Sequence, residues 1–257
     1  MSRIATFKQR LLNREPMSGT FLKTPHYALV EVFAQSGFDF LCLDAEHAPF
    51  DRAAIDQCMA VSRALDFPLL VRVGDASHRE ILWALDCGAV GIVVPHVETV
   101  EMARDIAKSA RFGLGGRGYA GSTRWAGYAT RKMPDVLAQS QSETVVIAQI
   151  EEPSAVPLAA EIAALDGIDA LFAGPADLSV GMGFDHQDTP DLKEALRTVG
   201  DAAKAANKGY ASFIGDSSQA KAWANDYGVH MFFVGSEHNY MRAAANKIAQ
   251  DVQNIDS

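Results

Sequence analysis

The chain has 257 residues, of which 48% are hydrophobic and 21% charged, as is ordinary for a globular protein with a large core. This length matches α/β barrels that fold as one unit. The 32 acidic residues outnumber the 23 basic ones and give a net charge of -9. Nucleic acids and anionic membranes are bound by concentrated basic patches, so this balance argues against both as partners.

The cysteines and the N-terminal segment predict the compartment. Cys42, Cys58 and Cys87 are an odd, sparse set in apolar segments, which indicates free thiols in a reducing compartment. Residues 1–13 have the pattern of an amphipathic helix and do not resemble a signal peptide. No segment approaches the roughly 20 apolar residues that span a bilayer. We therefore expect a cytoplasmic protein.

Short apolar runs alternate along the chain with longer segments of helical period. The predicted strands are Met17–Leu22, Phe38–Leu43, Pro68–Val73, Val90–Val94, Thr144–Ile150, Ile168–Phe172, Gly209–Phe213 and His230–Val234. The predicted helices include Arg52–Leu65, Arg79–Cys87, Glu98–Ser109, Ser154–Leu165, Asp191–Ala206, Ser217–Tyr227 and Glu237–Gln250. Eight such strands predict a single (β/α)8 TIM barrel over residues 1–257, with an open doubly wound sheet as the alternative.

One stretch interrupts this alternation. Residues 111–131 (RFGLGGRGYAGSTRWAGYATR) are rich in glycine, arginine and aromatic side chains. The stretch is too long for a simple connection between a strand and a helix. Ordered loops of this length in compact domains are usually functional.

Polar residues follow several predicted strands, where a barrel carries its active site. They are Asp44, Glu46, His47, Arg72, His96, Gln149, Glu151, Glu152 and Asp177. A basic group, histidines and carboxylates thus converge from strands that are distant in sequence, which favours catalysis.

Each of these residues also has a purely structural interpretation. Asp44 and Asp177 are good helix caps. A lone histidine such as His47 is commonly a satisfied structural residue, and Arg72 could pair with a neighbouring acid. Glu151 is harder to explain in this way, because a carboxylate at the mouth of a barrel needs a cation or hydrogen-bond donors.

Glu151, Asp177 and the nearby amide of Gln149 form an oxygen-rich set. Mg2+ and Mn2+ prefer such ligands, and two carboxylates leave room for a chelating substrate. The turn at residues 174–178 can direct backbone N–H groups at an anion. A 2-oxo acid offers both a carboxylate and chelating oxygens, and Arg72 could neutralise its enolate.

Missing residue types argue against several other chemistries. The sixth predicted strand has no lysine that could form a Schiff base. Lys23 is the only lysine at the C-terminal end of a strand, and a solvated surface position is its alternative interpretation. The sequence also lacks a P-loop, a dinucleotide fingerprint and a nucleophile elbow.

The motifs together resemble the HpcH/HpaI aldolase family, over nearly the whole chain. They are GFDFLCLDAEHAP (37–49), LVRV around Arg72, LDCGAVGIVVPHVET (85–99), GGRGYAGSTRW (115–125), VIAQIEEPSAV (146–156), GIDALFAGPADLSVGMG (167–183) and FFVGSE (232–237). The resemblance implies a barrel of the phosphoenolpyruvate/pyruvate type. It also implies a class II aldolase that cleaves a 4-hydroxy-2-oxo acid reversibly, through an enolate, to an aldehyde and pyruvate or an analogue such as hydroxypyruvate.

The resemblance assigns roles to individual positions. Glu151 and Asp177 are the expected ligands of a divalent cation (Mg2+, Mn2+ or Co2+). The expected catalytic residues are His47, Arg72, Asp86 and Asp44, with His47 as the acid–base group paired with Asp86 and Asp44 near the aldehyde. The expected substrate-binding residues are Gln149, Gly174, Pro175, Ala176, Asp177 and Phe213. The family also implies a homohexamer in which the C-terminal helix reaches a neighbouring subunit.

The first strand departs from the best-known members of the family. It reads GTFLKTPHY, with Phe21, Lys23 and His26 in place of Trp, Gly and small polar residues. Together with Phe213 and Asp216, these positions are expected to face the aldehyde end of the pocket. The identity of the aldehyde acceptor therefore cannot be inferred from the family resemblance.

Two other functions remain as alternatives. A CoA-ester lyase of the citramalyl or malyl type shares a related metal site, but it needs a basic surface for the nucleotide, and Arg111, Arg117, Arg124 and Arg131 are the only candidates. A non-catalytic barrel is the second alternative, and it predicts no affinity for divalent metal.

Overall fold

Eight parallel strands close into a barrel. A computed structural model describes residues 2–255 of the chain. The strands are β1 Met17–Leu22, β2 Phe40–Asp44, β3 Leu69–Arg72, β4 Gly91–Val94, β5 Val145–Ile150, β6 Ala170–Ala173, β7 Gly209–Ile214 and β8 Met231–Ser236. Neighbours in sequence pair in parallel, and β8 pairs with β1. The predicted (β/α)8 barrel is confirmed, and the open sheet is excluded.

Helices surround the barrel. They are α1 Arg3–Leu12, α2 Tyr27–Ala34, α3 Arg52–Ala64, α4 His78–Cys87, α5 Val100–Ser109, α6 Met133–Glu143, α7 Ala159–Ala163, α8 Pro175–Gly181, α9 Pro190–Ala205, α10 Ala220–Tyr227 and α11 Glu237–Gln253. Over residues 2–255, none combines the length and the apolar content that crossing a membrane requires.

The predicted elements agree closely with the observed ones. Strand ends differ by at most two residues. The predicted helix Ser154–Leu165 is instead a 3-10 turn, Val156–Leu158, followed by α7. Pro157 has no N–H to donate within a continuous helix, which explains the difference. The predicted helix Ser217–Tyr227 likewise begins as a 3-10 turn, Ser217–Gln219, before α10, and the helices α2, α6 and α8 lie outside the predicted set.

The N-terminal helix α1 closes one end of the barrel. Its Ile4, Phe7 and Leu11 belong to the same buried cluster as the inward-facing strand residues. The ring centres of Phe7 and Phe40 lie 5.8 Å apart. Because α1 seals this end, a ligand reaches the interior from the C-terminal ends of the strands.

The segment Arg111–Arg131 is irregular and packs on the outside of the barrel. Its Arg117 side chain is fully buried and donates to Asp86 of α4 at 2.6 Å. The guanidinium lies 4.5 Å from the ring centre of Phe112 and 5.5 Å from that of Trp125. The segment is therefore an ordered part of the outer layer.

The last helix leaves the barrel after its first turn. In α11 only Glu237 is buried, and residues 241–253 are exposed throughout. The exposed residues include Met241, Ile248 and Val252, with exposed fractions of 51%, 64% and 61%. The chain by itself leaves these apolar side chains uncovered.

Candidate active site

Every second residue of a strand points into the barrel, and the last of these side chains lie at its open end. Successive residues of a strand point to opposite faces. The buried interior cluster includes Cys42, Leu70, Ile147 and Ala211. Two positions farther along the same strands stand Asp44, Arg72, Gln149 and Phe213. On β2, β3 and β5 the inward-facing series therefore changes from apolar to polar side chains at the end of the barrel that α1 leaves open, whereas on β7 it ends with the apolar Phe213.

A cavity of about 270 Å³ opens at this end. It is lined by Phe21, Lys23, His47, Arg72, Gln149, Phe172, Gly174, Pro175, Ala176, Asp177, Phe213, Gly235, Ser236 and Asn239. All the predicted substrate-binding residues line the cavity, as do His47 and Arg72 of the predicted catalytic set. Phe172, Gly235, Ser236 and Asn239 were not predicted.

A second, larger cavity of about 530 Å³ lies at the opposite end of the barrel. It is bordered by Arg14 and His230, which come shortly before β1 and β8. Barrels of this class place catalytic residues at the C-terminal ends of their strands. The smaller cavity is therefore the candidate active site.

Asp44 is the centre of an ion-pair network. Its buried carboxylate accepts from Arg72 Nε at 3.0 Å and from the backbone N–H of His47 at 3.1 Å. Its second oxygen lies 2.8 Å from Arg72 Nη2 and 2.9 Å from Lys23 Nζ. Burial acts to raise the pKa of Asp44, but these partners outweigh it and the pKa lies below its ordinary value. Asp44 is thus ionised and does not cap α3, whose N-cap is Asp51.

Glu151 is a second buried carboxylate, with an exposed fraction of 3%. It accepts from the backbone N–H of His96 at 2.7 Å and from the side-chain amide of Gln149. Burial raises the pKa of Glu151, and the Asp177 carboxylate adds to the rise against the effect of these donors. A cation at this place would stabilise both carboxylates as anions.

The surroundings of Glu151 fit a divalent cation. A Cβ at Gly174 would meet Glu151 Cβ at 2.8 Å and Oε2 at 3.0 Å, so only glycine allows this close approach. Gln149 is buried, and its Oε1 has no hydrogen-bond partner within residues 2–255. Carboxylate and amide oxygens are the donors that hard divalent ions prefer.

Asp177 lies in the first turn of α8, whose N-cap is Gly174. N–H groups of a first helical turn have no partner inside the helix. Ala176 and Asp177 both line the cavity, so their N–H groups are available to a bound anion. One short turn thus offers donors for a carboxylate and, through Asp177, an acceptor for a cation.

Two neighbouring residues, Glu46 and His96, had no predicted role. Glu46 Oε1 lies 3.1 Å from His96 Nε2, and Glu46 Oε2 lies 3.2 Å from Arg72 Nε. Ligand atoms of Glu46, His96 and Glu151 lie within 4.8 Å of one another, so this group could hold a metal ion. Each is the second residue after the end of a strand. The left-handed backbone of His96, with φ of 53°, places its side chain where strand alternation does not indicate it.

His47 and Asp86 lie apart within one chain. The His47 side chain is 57% exposed, and its Nε2 lies 3.7 Å from Glu46 Oε2. Asp86 is on α4, where its carboxylate binds Arg117 at 2.6 Å, and it does not line the cavity. The pairing of His47 with Asp86 therefore stays a prediction.

The structure corrects two positions expected at the aldehyde end of the pocket. His26 is the N-cap of α2 and accepts from the backbone N–H of Ala28 at 3.2 Å. Asp216 caps the 3-10 turn Ser217–Gln219. Neither lines the cavity, because each side chain instead accepts a hydrogen bond from a backbone N–H at the start of a helical segment. Lys23 does line it, so its interpretation as a solvated surface lysine is wrong.

Known proteins are similar to this chain in both sequence and fold. Residues 17–246 match the model of the HpcH/HpaI aldolase/citrate lyase family. The chain is 35% identical over 249 residues to a hydroxypyruvate/pyruvate aldolase of Delftia acidovorans, covering 93% of this chain and 89% of the relative. It is 38% identical over 185 residues to a 4-hydroxy-2-oxovalerate aldolase of Novosphingobium aromaticivorans, covering 70% and 69%.

The comparison of folds agrees. A crystal structure of an HpcH/HpaI aldolase/citrate lyase family protein from Burkholderia cenocepacia matches with a TM-score of 0.91 and 31% identity, covering 97% of this chain and 99% of the other. Both the sequence match and this structural match extend over nearly the whole barrel. The chain therefore belongs to the HpcH/HpaI aldolase/citrate lyase family.

Proposed function

We propose that the protein is a carbon–carbon lyase, a class II pyruvate aldolase. It cleaves a 4-hydroxy-2-oxo acid reversibly to an aldehyde and pyruvate, or a close analogue such as hydroxypyruvate. The observation that carries the proposal is the convergence of Arg72, Gln149 and Asp177 on one small cavity beside the buried Glu151. The names of the aldolase relatives support the same reaction class.

Glu151 and Asp177 are the proposed ligands of a divalent cation (Mg2+, Mn2+ or Co2+), with Gln149, Glu46 and His96 around it. When bound, the cation draws electrons from the 2-oxo group and acidifies the C3 protons. Burial and the Asp177 carboxylate both raise the pKa of Glu151. A bound cation would lower that pKa again, which supports this assignment.

The other residues act directly on the substrate. Cleavage breaks the C3–C4 bond: the 4-hydroxyl loses its proton to give the aldehyde, and C3 keeps the electron pair as an enolate before taking up a proton. Arg72, held by Asp44, opposes the charge on the enolate oxygen. The N–H groups of Ala176 and Asp177 bind the carboxylate. His47, at the mouth of the cavity, transfers the proton.

Exchange of the pyruvate C3 protons in heavy water tests this proposal without an aldehyde. We expect NMR to show exchange that stops with EDTA and returns with Mg2+, Mn2+ or Co2+, because enolisation needs the cation. Denatured protein with the same metal is the control for uncatalysed exchange. An enzyme that shows no exchange with any of the metals would favour the CoA-ester or non-catalytic alternatives.

We also propose a cytoplasmic location. Cys42, Cys58 and Cys87 are free thiols in the structure. Burial raises the pKa of Cys58 and of Cys87 to about 11, so both stay protonated and unreactive at neutral pH. Unreactive, unpaired cysteines are typical of proteins in a reducing compartment.

We propose a homohexamer, as the family resemblance implies, and the exposed apolar residues of α11 support the packing of this helix on a neighbouring chain. Light scattering after gel filtration should give about six times the chain mass of 27.7 kDa. The I248D/V252D variant should form smaller species, because it puts charges on that apolar face. The N246D/Q250D variant, with the same charges on the same helix, is the matched control. A wild-type monomer would contradict the proposal.

A further inference from the structure

Phe21 of β1 lies in the barrel layer directly below Arg72. Phe21 pairs with Cys42 of β2, and Cys42 pairs with Leu70 of β3. Arg72 is two residues beyond Leu70, so its side chain begins one inward-facing layer nearer the open end of the barrel. The guanidinium of Arg72 can therefore lie across the Phe21 ring.

The guanidinium does lie over the face of this ring. The Arg72 Cζ atom is 4.4 Å from the ring centre of Phe21. Both side chains are largely withdrawn from solvent, with exposed fractions of 7% for Arg72 and 4% for Phe21. The negative face of an aromatic ring attracts a cation, and the attraction is stronger where water is excluded. Phe21 thus holds the guanidinium by charge as well as by packing.

Other aromatic rings fix the Phe21 ring in turn. Its ring centre lies 4.9 Å from that of Phe233 and 6.4 Å from those of Phe172 and Phe213. Phe233 and Phe172 belong to the buried interior cluster, and Phe213 packs against it. A ring packed among others in a core has little freedom to move. The surface that Phe21 offers to Arg72 is therefore a firm one.

Acidic side chains hold two of the three guanidinium nitrogens. Nε lies 3.0 Å from Asp44 Oδ1 and 3.2 Å from Glu46 Oε2, and Nη2 lies 2.8 Å from Asp44 Oδ2. The third nitrogen, Nη1, takes part in no hydrogen bond within residues 2–255, and Arg72 lines the cavity. Nη1 is therefore the donor available to an oxygen of the substrate.

We propose that Phe21 is a positioning residue, which keeps Nη1 of Arg72 directed at the enolate oxygen. This inference rests on the proposed aldolase function and deepens it. A guanidinium that left the ring could turn further toward Asp44 and Glu46, because both carboxylates attract it. The ring opposes that movement, so a larger fraction of the enzyme has Arg72 in the place where it meets the enolate.

Fluorination of the ring tests this role with little change in its size. Fluorine withdraws electrons from the face of the ring and so weakens its attraction for a cation. The protein is made with 4-fluoro-, 3,5-difluoro- or 3,4,5-trifluorophenylalanine at position 21 alone, and pyruvate proton exchange is measured. We expect kcat to fall with each added fluorine, by about 3- to 10-fold over the series. KM for pyruvate should change little, because Arg72 acts on the enolate.

The same fluorinated series at Phe7 is the matched control. Phe7 belongs to the same interior cluster, and its ring packs against that of Phe40 at the closed end of the barrel. Fluorine there should leave kcat unchanged.

Substitutions at position 21 give an independent measurement. F21L removes the ring face but keeps an apolar side chain, and it should lower kcat for exchange by about 3- to 30-fold. F21W keeps an aromatic face and should retain most of the wild-type kcat. F7L also loses a buried ring, so it shows what packing alone contributes to kcat.

A kcat that stays level or rises over the series at position 21 would overturn the proposal, because attraction between ring and cation would then play no part in catalysis. F21L with the kcat of the wild type would overturn it as well. Since fluorinated rings keep the packing, unfolding cannot imitate a stepwise fall confined to position 21. Failure of the aldolase function itself is distinguishable, because the wild type would then show no pyruvate proton exchange.

Discussion

Replacing Glu151 with glutamine should lower metal-dependent cleavage by about 10^2- to 10^4-fold. A bound cation contributes several kcal/mol to such a reaction, and each 1.4 kcal/mol corresponds to about a tenfold change in rate. The amide that replaces the carboxylate carries no charge to hold the cation. Steady-state cleavage and the shift in melting temperature on adding Mn2+ would both report the loss.

The fold should survive this substitution. Burial raises the pKa of Glu151, so the ionised carboxylate destabilises the metal-free protein above its ordinary pKa, and a neutral amide removes that cost. The new amide can still accept from the His96 N–H, and Gln149 can rotate because its Oε1 has no partner within residues 2–255. With EDTA present, E151Q should therefore melt no lower than the wild type.

The E161Q variant is a matched control for the loss of one negative charge. Glu161 is exposed on α7, so E161Q removes the same charge far from the cavity and should leave cleavage and metal-induced stabilisation unchanged. If E151Q kept full activity, or gained as much thermal stability from Mn2+ as the wild type, Glu151 could not be a metal ligand.

Much of the fold could be predicted because strands and helices carry local periods. The interior series of β5, for example, runs from apolar Val145 and Ile147 to Gln149 in steps of two. No local sequence pattern of this kind predicts the burial of Arg117. Its place depends on Asp86, Phe112 and Trp125, which the closed fold brings together.

The residues of the candidate site also fall into two groups: those that local sequence patterns predict and those that they do not. Arg72, Gln149 and Asp177 could be predicted because they lie in the last two residues of a strand or in the first turn of the helix that follows one. His96 could not be placed in the same way, since a left-handed residue redirects the chain after β4. Asn239 comes from the start of α11, a segment without any motif, and only closure of β8 onto β1 brings it to the cavity.

Replacing Arg72 with methionine should lower kcat by about 10^2- to 10^3-fold, the usual effect of removing a donor to a developing oxyanion. The same change should destabilise the fold. Arg72 is 7% exposed and is the closest cation to the fully buried Asp44. Breaking a buried ion pair costs about 3–5 kcal/mol, and Lys23 keeps the cost at the lower end by remaining beside Asp44.

The double variant R72M/D44N separates the two roles of Arg72. Removing the Asp44 charge as well should restore part of the free energy of unfolding measured in urea, because the fully buried carboxylate is then gone, while Glu46, which also loses Arg72, keeps His96 as a partner. It should not restore kcat, since neither replacement opposes the charge of an enolate. Pyruvate proton exchange measures that step directly, because it needs no aldehyde. Recovery of exchange together with stability would mean that Arg72 only keeps Asp44 in place, and the enolate would then need another cationic partner.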